Sequence, residues 1–108
     1  MVMMTGKSGK KYEFEGCYSS TSSIADRSGV YVVLDKRMDE LFVLDVGESS
    51  NPQYRLQNHD RKSCWENKRK GMIVYGIYYT PNQQQQGRMD IEQDIRNFYG
   101  NNNLCGDR

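Results

Sequence analysis

Two apolar runs separated by a short polar stretch constrain the fold of this chain most strongly. Val30–Asp35 and Leu41–Val46 are rich in β-branched and apolar residues, whereas Lys36–Glu40 between them is polar. Such runs favour extended backbone, and a short polar connection between two of them is typical of a β-hairpin. We therefore expect this hairpin to begin the sheet.

The chain after the hairpin predicts a helix and a third strand. Asn51 can cap a helix whose first residue is Pro52, where the missing N–H costs nothing. The helix is expected to run from about Pro52 to Ser63. Met72–Thr80 is dense in Ile, Val and Tyr, so we predict a third and central strand that ends at Pro81.

A second helix is predicted near the end of the chain, over Arg88–Tyr99. Ile91, Ile95 and Phe98 recur there at i, i+4 and i+7, which places them on one helix face. This face can close over the sheet, and Gly100 is the candidate C-cap.

The 108 residues are enough for one compact domain. We predict a small α/β domain with a short three-stranded, mainly antiparallel sheet flanked by α-helices over residues 29–100. Residues 1–28 are rich in small polar residues and are expected to be flexible, with an edge strand possible over Tyr12–Tyr18. Residues 101–108 are expected to form a polar tail.

The cysteines and the apolar runs point to a cytoplasmic protein that does not enter a membrane. No apolar run approaches the roughly 18 residues of a membrane span, and the amino terminus lacks the apolar stretch of a secretory signal. Cys17, Cys64 and Cys105 are widely separated and odd in number, so we expect free thiols rather than disulfides or a zinc site.

The net charge of only +1 argues against nucleic-acid binding through overall charge, but positive charge is concentrated locally. The cluster consists of Arg61, Lys62, Lys68, Arg69 and Lys70, against one acid, Glu66. On composition alone, this cluster is equally well interpreted as a solvated basic face.

Four segments in order resemble the GIY-YIG nuclease domain, and together they span about residues 29–100. They are GVY at Gly29–Tyr31, DVGES at Asp45–Ser49, RLQNH at Arg55–His59 and RMDIEQDI at Arg88–Ile95. The resemblance implies a metal-dependent endonuclease that hydrolyses phosphodiester bonds, with DNA the favoured nucleic acid.

The resemblance also assigns roles to four residues. Tyr31 would orient or help deprotonate the attacking water, and Arg55 would contact the scissile phosphate. His59, four residues after Arg55 and on the same helix face, would assist proton transfer. Glu92 would hold one Mg²⁺ or Mn²⁺ ion, with water and substrate oxygens completing the shell.

The sequence departs from the family pattern at Asp45, where the second motif tyrosine is expected. An aspartate there would either repel the phosphate or add a metal ligand, and the sequence leaves both open. Gly47 is retained, which is consistent with close passage of backbone. The family's asparagine after the glutamate helix has three candidates, Asn101, Asn102 and Asn103.

Expected substrate contacts are Gly47, Arg61, Lys62, Lys68 and Arg69. A domain of this size has no room for a separate recognition domain, so a protein partner that supplies specificity is a further expectation. Two alternatives remain open at this point: a catalytically degenerate module that only binds nucleic acid, and a structural or interaction protein with a coincidental match. The second of these predicts no salt-dependent nucleic-acid binding.

Overall fold

A curled, five-stranded antiparallel sheet forms the centre of the molecule in a computed structural model that describes residues 1–106. Its strand order is β1-β2-β5-β3-β4. The strands are β1 (Val2–Thr5), β2 (Lys11–Tyr18), β3 (Gly29–Arg37), β4 (Glu40–Ser49) and β5 (Met72–Tyr79). The helices are α1 (Pro52–Gln57), α2 (Lys62–Lys68) and α3 (Gln85–Tyr99).

The predicted hairpin is confirmed, but the three-stranded sheet is too small. β3 pairs with β4 along its whole length, and β5 lies in the middle of the sheet as expected. The correction concerns residues 1–28, which supply two further strands. β2 pairs with β5, and its alternating Tyr12 and Phe14 are buried, so this segment gains a place in the sheet by covering apolar surface. β1, not β2, is the edge strand.

β3 is buried on both faces, which explains its unbroken apolar sequence. Val30, Val32 and Leu34 belong to one core cluster, which lies under α3. Tyr31 and Val33 point to the opposite face and join a second cluster with Leu56 of α1 and Trp65 of α2. The sheet therefore separates two cores.

The predicted helix from Pro52 to Ser63 is in fact two short helices. Its start is confirmed, since the Asn51 side chain accepts a hydrogen bond from the Tyr54 amide at 3.2 Å. α1 ends at Gln57, and α2 begins only at Lys62. In the connection between them the His59 ring turns inward and is buried.

α3 is longer than predicted at its beginning, and its buried face is the predicted one except at Phe98. Gly100 is confirmed as its C-cap, with a φ of 87° and its amide donating to the Arg96 carbonyl at 3.0 Å. Ile91 and Ile95 are buried as expected, but Phe98 is 51% exposed. The buried residues also include three charged ones, Arg88, Glu92 and Arg96.

The expectation of three free thiols is wrong for two of the cysteines. Cys64 of α2 and Cys105 form a disulfide across a sequence separation of 41 residues, and Cys17 is free and exposed. The fold brings the two together because residues 101–106 return along the sheet instead of forming a free polar tail. Residues 107 and 108 of the predicted tail lie outside the described residues.

No helix within residues 1–106 is long and apolar enough to cross a membrane.

Candidate active site

Tyr31 and His59 form the centre of the candidate site. Tyr31 lies in the middle of β3, and its Oη is 2.6 Å from Nε2 of His59 in the connection between α1 and α2. Both side chains are buried, with Tyr31 1% and His59 5% exposed. The structure thus brings together two residues that are 28 positions apart in the sequence.

The proton of the neutral His59 ring is assigned by its neighbours. The Arg61 backbone amide donates to Nδ1 at 3.0 Å, so Nε2 carries the hydrogen and donates to Tyr31 Oη. Burial, together with the positive charges of Arg61 and Arg55, lowers the pKa of His59 to about 4. His59 is therefore neutral at pH 7, although the Asp60 carboxylate lies 3.2 Å from Nδ1.

Gly47 gives the Tyr31 ring its position. The two residues are register partners in the β3–β4 hairpin, and a Cβ on Gly47 would overlap the phenol of Tyr31. A glycine is needed at this point because the ring passes directly over the backbone of β4. Gly47 thus leaves open the space that the Tyr31 ring occupies.

Arg55 and Glu92 contribute charge around the Tyr31 hydroxyl. Burial raises the pKa of Tyr31 above its ordinary value; the Asp45 and Glu92 carboxylates add to the rise, and Arg61 and Arg55 oppose it. The hydroxyl therefore stays protonated at neutral pH. Of the four predicted catalytic residues, Tyr31 and His59 are in contact, whereas Arg55 and Glu92 act on the Tyr31 hydroxyl through their charge.

The accessibility of Arg55 and Glu92 differs. The Arg55 side chain is 35% exposed and donates to Asp60 at 3.1 Å. Glu92 on α3 is only 1% exposed. The expectation that Arg55 and His59 share one helix face is wrong, because His59 follows the end of α1. Arg55 faces solvent, while Tyr31, His59 and Glu92 are enclosed.

Asp45 is the centre of a buried polar network. Its Oδ2 accepts from Arg61 Nε and from Trp65 Nε1, each at 2.8 Å. Its Oδ1 accepts from Arg61 Nη2 at 3.1 Å and from Arg96 Nη1 at 3.0 Å. With four donors on two oxygens the carboxylate is fully engaged. In this structure the charge of Asp45 is therefore compensated by its donors and would not repel a phosphate. Its oxygens are also not available as metal ligands.

The predicted substrate contacts are paired within the protein. Arg61 is held by Asp45, as described above. Lys62 donates to the Gln57 carbonyl at 2.6 Å, Lys68 donates to the Asn103 carbonyl at 2.9 Å, and Arg69 pairs with Glu66 at 2.9 Å. Lys62, Lys68 and Arg69 are exposed, so their bonds are the kind that solvent and ligands readily exchange.

Sequence reasoning missed Arg96, Trp65 and the Cys64–Cys105 disulfide. Arg96 is fully buried and also donates to the Val46 carbonyl at 2.7 Å and to Asn101 Oδ1 at 2.8 Å. A buried arginine needs several acceptors. One feature of the sequence did indicate a buried cation: Asp45 is an acid inside an apolar strand and requires a cationic partner. Nothing in the sequence indicated which cation would supply it.

A divalent cation at Glu92 would depend on ligands from outside the protein. Within residues 1–106, no group of three or more His, Cys, Asp or Glu side chains is arranged to hold a metal ion. A single carboxylate still fits Mg²⁺, which prefers oxygen ligands and keeps much of its water shell. Glu92 would be the protein ligand, with water and phosphate oxygens as the others.

Comparisons of this chain with protein-family models, with curated proteins and with solved structures found no match.

Proposed function

We propose that this chain is a metal-dependent endonuclease of the GIY-YIG type that hydrolyses phosphodiester bonds in DNA. The observation that carries the proposal is the 2.6 Å hydrogen bond between Tyr31 and His59, with the charges of Arg55 and Glu92 around the same hydroxyl. A tyrosine of β3 and a neutral histidine of the α1–α2 connection are in direct contact, and the charges of an arginine on α1 and a carboxylate on α3 act on the same phenol.

Each residue has a role that its chemistry suits. Oη of Tyr31 has a second lone pair and its own hydrogen, so it can orient a water against phosphorus while His59 holds the phenol in place. Because the pKa of Tyr31 is raised, orientation rather than proton removal is its task in the resting state. Arg55, exposed beside this group, would neutralise charge on the phosphate.

Glu92 would hold the Mg²⁺ or Mn²⁺ ion, which when bound stabilises negative charge on the phosphate oxygens. In the hydrolysis itself the water oxygen bonds to phosphorus and the bond to one nucleotide oxygen breaks. One proton leaves the water and one is taken up by the departing oxygen, so the reaction needs no other reactant.

A nicking assay on supercoiled plasmid tests this proposal, with Mg²⁺, Mn²⁺ or EDTA present. Tyr31→Phe removes only the hydroxyl and should slow nicking by about 10²- to 10⁴-fold, and Glu92→Gln should lose metal-dependent cleavage. Matched controls are Tyr18→Phe on β2 and Glu66→Gln on the outside of α2, which should nick like the wild type. Equal nicking by Glu92→Gln and Glu66→Gln would reject the assignment.

The enclosure of Tyr31 and Glu92, together with Asp45 in place of the motif tyrosine, favours one alternative: a module that binds DNA without cutting it. Such a module would bind DNA more weakly as salt is raised, and would leave plasmid intact with either metal. Folded protein with that behaviour, under both reducing and oxidising conditions, would favour the alternative.

A further inference from the structure

The end of the chain runs beside the candidate active site as a strap. We use the term C-terminal strap for residues 100–106, which follow α3. β4 is the edge strand at this side of the sheet, and its Leu44 carbonyl accepts the Cys105 amide at 2.8 Å. Arg96 donates to the carbonyls of Cys105 at 2.7 Å and Gly106 at 3.0 Å. The strap therefore lies along the free edge of β4.

The far end of the C-terminal strap is bonded to α2. The Cys64–Cys105 disulfide joins the layer that contains α2 to the segment that leaves α3, which covers the other face of the sheet. Lys68, also on α2, donates to the Asn103 carbonyl at 2.9 Å. The strap thus closes the edge of the molecule between the two helical layers.

The C-terminal strap also packs against Arg61, a residue that positions other side chains of the site. A Cβ on Gly106 would lie 2.9 Å from Nε and Cζ of Arg61, so the strap backbone packs directly against this guanidinium. Arg61 holds Asp45 through its side chain and fixes the His59 ring through its amide. Arg61 therefore contacts both the strap and the His59 ring of the Tyr31–His59 pair.

The site is closed in this arrangement. Tyr31 and Glu92 are each 1% exposed, so a phosphodiester and its hydrated cation cannot reach them without a movement of the surroundings. The C-terminal strap is the segment at this edge whose attachment depends on a bond that a cell can make and break. Cys105 packs in the same buried cluster as Tyr31, so release of the strap removes part of the cluster that encloses this tyrosine.

We propose that the Cys64–Cys105 disulfide is a redox control of substrate access: the oxidised protein is closed, and reduction releases the C-terminal strap and admits DNA. The inference rests on the proposed nuclease function for the identity of the substrate. The disulfide takes two electrons and two protons from a dithiol, giving two thiols on the protein and a disulfide on the reductant. No bond to DNA is involved in this step.

Strap opening can be measured without any assay of nuclease activity. Trp65, the single tryptophan, is 1% exposed, follows Cys64 directly and donates to Asp45. Reduction with dithiothreitol, or the substitution Cys105→Ser, should at least double the quenching of Trp65 fluorescence by acrylamide. Hydrogen exchange of the backbone amide at position 105, in the reduced protein and in the variant alike, should become at least about tenfold faster as its bond to Leu44 opens. Cys17→Ser is the matched control and should behave like the wild type.

Two results would overturn the proposal. One is a reduced protein in which the Cys105 amide and Trp65 remain as protected as in the oxidised form. The other is a loss of exchange protection throughout β3 and β5, which would make the disulfide a condition for folding and not a control of access. Circular dichroism of both forms separates the second result from local opening.

The activity measurement separates this proposal from the nuclease assignment. Plasmid nicking with Mg²⁺ should rise at least about tenfold on reduction, and Cys105→Ser should be active without a reductant. Equal nicking by oxidised and reduced protein would reject the redox control and leave the nuclease intact. A strap that opens without nicking under any condition would instead reject the nuclease and leave the redox-dependent opening established.

Discussion

His59 shows how burial decides the state of a single residue. Its ring lies between the Tyr31 hydroxyl and the Arg61 amide, and the amide donates to Nδ1, which must therefore carry no hydrogen. Protonation would place a hydrogen on Nδ1, where the Arg61 amide already points. The Arg61 contact that positions the ring therefore opposes its charge.

This predicts a loss of stability in mild acid. The ordinary pKa of 6.5 applies to the unfolded chain and falls to about 4 in the folded one. The unfolded state thus binds a proton first as pH falls from about 6.5 to about 4, and the free energy of unfolding decreases across that window. Between pH 7.5 and pH 5.5 we expect a decrease of about 1 kcal/mol in urea unfolding experiments.

His59→Gln is the control for this prediction, because His59 is the single histidine in the sequence. The variant should be less stable than the wild type at pH 7.5 but nearly independent of pH down to pH 5.5. A variant that keeps the wild-type slope would assign the acid sensitivity to other groups.

At the scale of elements, the β1–β2 hairpin is joined to α3 by the Asp94 carboxylate, in addition to hydrogen bonds from the Lys7 amide to the Asp94 carbonyl and from the Thr5 amide to Tyr99 Oη. Asp94 accepts hydrogen bonds from the Ser8 amide at 2.9 Å, from the Ser8 hydroxyl at 2.7 Å and from Tyr12 Oη at 2.8 Å. The hydrogen bonds from Ser8 lower the pKa of Asp94, and burial together with Asp94 raises the pKa of Tyr12 to about 12. Strands β1 and β2 therefore depend on a helix far away in sequence.

Asp94→Ala should loosen this hairpin without unfolding the rest of the sheet. Removing the acceptor of these donors is expected to lower the free energy of unfolding by about 1–3 kcal/mol. Hydrogen exchange should accelerate in β1, β2 and the turn between them. Asp90→Ala is the matched control, since Asp90 lies one helical turn earlier and is exposed. If both variants lose the same stability, Asp94 is not the fastening point.

At the scale of the whole molecule, Asp45 connects the helices that lie on the two faces of the sheet. The sheet divides two clusters of apolar residues, and Asp45 is contacted by Trp65 from α2 and by Arg96 from α3. A single carboxylate therefore links the helices on both faces at the edge of β4. The Cys64–Cys105 disulfide links the same two layers nearby.

Asp45→Ala should destabilise the whole domain. It leaves two largely buried arginines without their carboxylate partner, and removing one partner of a buried ion pair typically costs about 3–5 kcal/mol. Asp45→Tyr, which restores the tyrosine of the family pattern, removes the same acceptor and should be destabilising as well. Asp39→Ala in the exposed β3–β4 turn is the control, and urea unfolding is the measurement. A loss from Asp45→Ala no larger than from Asp39→Ala would contradict this account of the network.

The parts of the fold that follow from local pattern were predictable. The β3–β4 hairpin, the central strand β5 and the helix that ends at Gly100 each have their signal within about ten neighbouring residues. The interruption between α1 and α2 was not predictable in this way, because the inward turn of His59 has its reason in Tyr31, 28 residues earlier.

The membership of the candidate site stays a prediction, but part of its geometry can be compared with the sequence. The order of the four segments singled out Tyr31, Arg55, His59 and Glu92, and the fold brings Tyr31 into contact with His59 while the charges of Arg55 and Glu92 act on the same hydroxyl. The engagement of Asp45 by Arg61 and Arg96 had no counterpart in the sequence pattern. Periodicity counts an arginine as polar and hence exposed, whereas Arg96 is fully buried by virtue of its acceptors.

What the sequence by itself determined is therefore most of the local elements, whereas the assignment of a phosphodiester-cleaving site stays a prediction. Backbone preference and apolar periodicity act between neighbours, so they can be read along the chain. Only the tertiary structure decided that residues 1–28 complete the sheet, that Asp45 binds two arginines, and that Cys64 meets Cys105 over a closed site. Burial, charge pairing and disulfide formation depend on distance in space, and that distance exists only once the chain has folded.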